Sequence, residues 1–112
     1  MRGFAYVKLG FDKLALRDYN KAIKLNPGTP EAYYMRGFLH AKQGDLKKAI
    51  KDLTMSLTLD PQQAEVFGMR GLVYLLKKET ILKGVEDFKI GARMGHEGCR
   101  AYLRRRGIGW GE

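Results

Sequence analysis

The chain has 112 residues, of which 45% are hydrophobic and 29% charged, with a formal net charge of +9 and one cysteine. That apolar share suits a folded chain and excludes an intrinsically disordered one. No uninterrupted apolar run is long enough to span a membrane as a helix, no signal-peptide core is visible, and a single cysteine excludes an internal disulfide.

Met1-Arg2-Gly3-Phe4, Met35-Arg36-Gly37-Phe38 and Met69-Arg70-Gly71-Leu72 each begin 34 residues after the previous copy. A fixed period of this size means stacked supersecondary units rather than one globular core. The first unit, about residues 1–27, begins inside a helix. Gly10 is placed to turn it, Ala15 and Ala22 are small positions of a second helix, and Asn26-Pro27 closes it.

The second unit, about residues 28–61, reads most clearly. Pro30-Glu31 opens a helix, since Pro suits a first turn and Glu favours the positive end of the dipole. Gly44 breaks it, and Asp45 is placed to cap the next helix with its carboxylate. That helix carries Leu46, Ala49, Ile50, Leu53 and Leu57 at a period near 3.6, with Lys47, Lys48 and Lys51 outside. Asp60-Pro61 stops it.

The third unit, about residues 62–95, drifts. Lys78 stands where Gly is expected, one residue is inserted near Glu79-Thr80, and Gly95-His96 replaces Asp60-Pro61. Residues 96–106 read as one more helix, a cap with Cys99, Tyr102 and Leu103 on its apolar side. Residues 107–112 are too Gly-rich to continue it and are expected to form a flexible tail.

These units resemble the tetratricopeptide repeat family. The small residues Gly3, Gly37 and Gly71, the large or aromatic Tyr6, His40 and Tyr74, the later Ala15, Ala22, Ala49 and Ser56, and the closing Pro27 and Pro61 carry the resemblance over roughly residues 1–95. It implies an all-α fold: an α-solenoid of three helix–turn–helix hairpins plus a C-terminal capping helix, wound as a right-handed superhelix. Residues 1–106 form one repeat domain, with seven helices expected.

The resemblance also implies that first helices line a concave groove. Carried over, the lining is Phe4, Val7 and Lys8 in the first unit, Glu31, Tyr34, Phe38, Ala41 and Lys42 in the second, and Glu65, Gly68, Leu72, Leu75 and Leu76 in the third. From these the expected binding residues are Phe4, Val7, Lys8, Tyr34, Phe38, Lys42, Leu72, Leu75 and Leu76. Family members that clamp a carboxylate tail use Asn where Phe4, Phe38 and Leu72 stand, so that clamp is not expected. An apolar groove suits an amphipathic helix or a hydrophobic peptide. The expected function is a protein-interaction module or scaffold.

An alternative is nucleic-acid or polyanion binding through Arg100, Arg104, Arg105 and Arg106, because residues 69–112 carry ten basic and five acidic groups. The cluster lacks interleaved aromatics and any familiar binding motif, and a solvated helix end or an acidic protein partner explains it better. A second recurrence, Arg2, Arg36 and Arg70 against Asp18, Asp52 and Asp87, reads as an ion pair between helices rather than a basic ladder.

No enzyme is expected, nor any cofactor or metal. His40 falls at a core position, and His96, Glu97 and Cys99 lack the spacing of a zinc or nucleophile site. Ile108 and Trp110 on the tail raise the expectation of a homodimer that buries them. The expected location is cytoplasmic.

Overall fold

The computed structural model describes residues 2–111, with side chains from Gly10 onward. The elements are α1 (Arg2–Leu25), α2 (Pro30–Lys42), α3 (Leu46–Leu59), α4 (Ala64–Leu75), a 3-10 turn (Lys78–Thr80), α5 (Ile81–Arg93) and α6 (Glu97–Arg105). The described residues contain no strand.

Each helix packs mainly on its chain neighbours. α2 pairs with α3 and α4 with α5 as hairpins, α3 then stacks on α4, α6 covers α5, and α1 lies on α2. That nearest-neighbour order is the signature of an α-solenoid. The radius of gyration is 15.1 Å, against about 13 Å for a compact domain of this length, so the stack is more open than a globule.

The second unit folds as its residues dictate. Gly44 takes a φ of +82°, where a side chain would be strained. This lets the Asp45 N–H bond back to the His40 carbonyl at 2.9 Å, closing α2. Asp45 Oδ1 then accepts from the Lys48 N–H at 3.2 Å and starts α3. Asn26 and Asp60, one period apart, make the same turn by accepting from the N–H two residues on, Gly28 and Gln62.

The expected turn at Gly10 is absent: α1 runs as one helix from Arg2 to Leu25. The described residues therefore form six α-helices rather than the seven expected. The physical reason lies one residue on. Asp45 caps α3, whereas Phe11 stands at the matching place and has no acceptor to offer. Gly10 keeps no positive φ, and helix continues through it.

The third turn absorbs its inserted residue in the 3-10 segment, where the Thr80 hydroxyl donates to the Tyr74 carbonyl at 2.6 Å. Small residues set the helix spacing. A Cβ on Gly84 would stand 2.8 Å from the Gly71 carbonyl, and one on Gly91 would stand 2.6 Å from Cys99 Sγ. Two core clusters result: Ala49, Leu53, Leu57, Val66 and Val73, then Phe88, Ala92, Cys99, Leu103 and Trp110.

Trp110 overturns the expectation of a flexible strip over residues 107–111. Gly107, at φ +66°, ends α6 and reverses the chain, and the Ile108 N–H bonds the Leu103 carbonyl at 2.9 Å. Trp110 is 9% exposed. Its carbonyl accepts from Arg93 Nε, and the Arg100 and Arg104 guanidiniums each lie 5.7 Å from its ring. The Trp110 ring, expected to be buried by a second copy, is covered by its own chain.

Candidate functional site

The repeated Arg–Asp pattern joins the two helices within each hairpin, and the same arginines reach back to the helix before it. Arg36 Nε and Nη2 each donate to the Asp52 carboxylate at 2.7 Å, and Arg70 does the same to Asp87 at 2.8 and 2.9 Å. Each arginine also reaches the preceding helix, Arg36 to Asn20 Oδ1 at 3.0 Å and Arg70 to Thr54 Oγ1 at 3.2 Å. Both rest against an aromatic one period apart, Tyr33 and Phe67. The hydrogen bond to its aspartate holds each guanidinium above its ordinary pKa, against the opposing pull of burial. These are structural clamps. Of the third expected pair, Arg2 with Asp18, the arginine lies outside the residues whose side chains are described.

With the hairpins so fixed, α2, α4, α5 and α6 enclose an open hollow of about 420 Å³. Tyr34 comes from α2, Glu65, Gly68, Met69 and Leu72 from α4, and Phe88 from α5. His96, Gly98, Cys99, Tyr102 and Arg105 come from the cap and its helix. The Phe88 and Tyr102 rings stack at 4.4 Å with a 13° interplanar angle and form part of the wall. Leu72 is 51% exposed although it is large and apolar. Burial first, then the charge of Glu65, pushes the Tyr34 phenol above its ordinary pKa.

The expected groove residues divide. Tyr34 and Leu72 line the hollow, as do Glu65 and Gly68. Leu75 packs inward against the second core cluster, under Gly84. Leu76 is 67% exposed at the end of α4, away from the lining. Lys42 bridges to α1 through Asp12 at 3.2 Å, and its ammonium lies 5.6 Å from the Phe38 ring. Phe38 and Lys42 thus belong to the α1–α2 side and not to the hollow. Phe4, Val7 and Lys8 lie outside the residues whose side chains are described.

The cap helix supplies what the carry-over missed. Its Cys99, Tyr102 stripe was legible, but a cap has no repeat phase to say that its edge would join the groove. His96 is the N-cap of α6: its Nδ1 accepts from the Cys99 N–H at 3.1 Å. Its role is structural, and His40 likewise packs 3.7 Å from the Asp52 carboxylate. Burial, with the charge of Asp87 adding to it, pushes the Cys99 thiol up to about 11, so it stays protonated and unreactive at neutral pH. Among the described residues no group of three or more His, Cys, Asp and Glu is gathered for a metal ion, and no helix is long and apolar enough to cross a membrane.

The basic end is mostly spoken for. Arg104 pairs with Glu97 at 2.9 Å, Arg106 lies 4.0 Å from the Tyr102 ring centroid, and Arg100 Nε donates to the Ala92 carbonyl at 2.8 Å. Arg105 is exposed, lines the hollow, and has no ion pair or hydrogen bond among the described residues.

Two family models match the chain. One, described as TPR repeat, covers residues 3–44, and one described as tetratricopeptide repeat covers residues 30–63. Together they span more than half of the sequence, across α1 to the start of α4. No curated protein matches the chain.

Proposed function

The chain belongs to the tetratricopeptide repeat family, whose repeats generally mediate protein–protein interaction, and from that premise we propose that it is a scaffold module holding a partner's peptide or helix in its concave hollow. The observation that carries this reading is the open apolar hollow between α2, α4 and α6, with half-exposed Leu72 at its edge. A water-exposed apolar concavity with a few polar groups is the usual form of a binding site. An amphipathic helix or an extended apolar segment offers the complementary face.

Polyanion binding through the C-terminal arginines gains no support. Three of the four are engaged within the chain, and the fourth faces an apolar hollow.

A pulldown from native extract tests the proposal. Leu72→Asp should remove the captured partner, Leu82→Asp, on exposed α5 surface outside the hollow, should retain it, and added salt should weaken capture only slightly. A steep loss with salt, together with an unaffected Leu72→Asp variant, would point to polyanion binding instead.

A further inference from the structure

The lining of the hollow carries one charged group of each sign, Arg105 and Glu65, among mostly apolar residues. Its floor is apolar, with Leu72, Phe88 and Tyr102 in the wall, and Arg105 stands on its lining with no intramolecular partner among the described residues. The neighbouring arginines Arg104 and Arg106 are held by Glu97 and the Tyr102 ring. A guanidinium beside an apolar cavity presents several fixed N–H donors and matches a carboxylate in both charge and shape. Glu65, on the first turn of α4, forms no ion pair with Arg105 among the described residues, so a bound segment's carboxylate is accepted only at the α6 side of the hollow. The chain as a whole carries +9, which draws an acidic partner before contact is made.

We propose that the occupant of the hollow is an acidic amphipathic segment of another protein: an apolar side chain seats against Leu72 and Tyr102, and a flanking Asp or Glu carboxylate accepts hydrogen bonds from Arg105. This rests on the groove reading above and makes the cap helix, outside the repeats, the element that selects the partner's charge. Binding energy then comes from apolar burial, while the carboxylate sets orientation, and a lysine in its place would be repelled by Arg105.

Two designed helical peptides test it. They share one Leu/Phe face, one carries Glu and the other Lys on the polar face, and both are titrated onto the full chain by fluorescence anisotropy. The acidic peptide should bind about tenfold or more tightly, the size of effect expected for a charge-assisted hydrogen bond. Arg105→Glu should abolish that preference and Arg105→Lys should keep most of it. Arg17→Glu, the same charge change on exposed α1 surface, should leave it intact. Equal binding of the two peptides, or an equal loss in Arg17→Glu and Arg105→Glu, overturns the assignment to Arg105. If both peptides bind alike and Leu72→Asp releases both, the groove stands and only the acidic occupant falls. If neither peptide binds, or Leu72→Asp leaves binding unchanged, both readings fall.

Discussion

Single side chains decide how closely these helices pack. Gly91 is the sharpest case, because an added Cβ would lie 2.6 Å from Cys99 Sγ. Gly91→Ala should therefore lower stability by about 1–3 kcal/mol through overpacking. Adding Cys99→Ala should recover much of that loss, and urea melts of the single and double variants check it. Asp87 is 3% exposed beneath Arg70. Removing it leaves an uncompensated guanidinium, so Asp87→Ala should cost about 3 kcal/mol or more. Cys99 adds a pH signature. Its thiol titrates at about 11 when folded and near 9.0 when free. The folded state keeps the proton that the unfolded state loses, so stability should be full below pH 9.0 and decline as pH rises toward about 11. Denaturation midpoints measured across that window, with the decline smaller in a Cys99→Ala variant, test the sign.

At the scale of elements, one capping atom separates a hairpin from a continuous helix. Gly10 and Gly44 occupy the same phase, so the sequence pattern predicts a turn at both. The pattern carries no weight for the residue that follows, where Asp45 caps and Phe11 does not. The α2–α3 hairpin was legible because Pro30, Gly44, Asp45 and Asp60 each act locally. The docked tail was not, because Trp110 is held from α5: it bonds Arg93 and shares a core cluster with Phe88 and Ala92. Gly-rich composition describes only the freedom such a strip has before it packs. The same distinction applies to the site. Tyr34 and Leu72 were found from repeat phase, whereas Tyr102 and Arg105 follow only from where α6 lands. Gly107 is the hinge of that tail. Gly107→Ala should strain the positive φ by about 1 kcal/mol. The only tryptophan of the chain should then loosen, with its emission shifting to the red. An unshifted spectrum would mean that Trp110 is held without the turn.

The whole molecule is an open stack in which the Arg36–Asp52 and Arg70–Asp87 pairs clamp each hairpin, while Arg36 and Arg70 also reach the preceding helix. A largely apolar hollow lies open between α2, α4, α5 and α6. Placing a photoreactive amino acid at position 72, and separately at position 82, tests this assignment most directly. Leu72 lines the hollow and Leu82 is 80% exposed outside it. The account predicts a discrete cross-linked protein partner from position 72 in native extract and none from position 82. A partner trapped only at position 82, or equally at both, would contradict it.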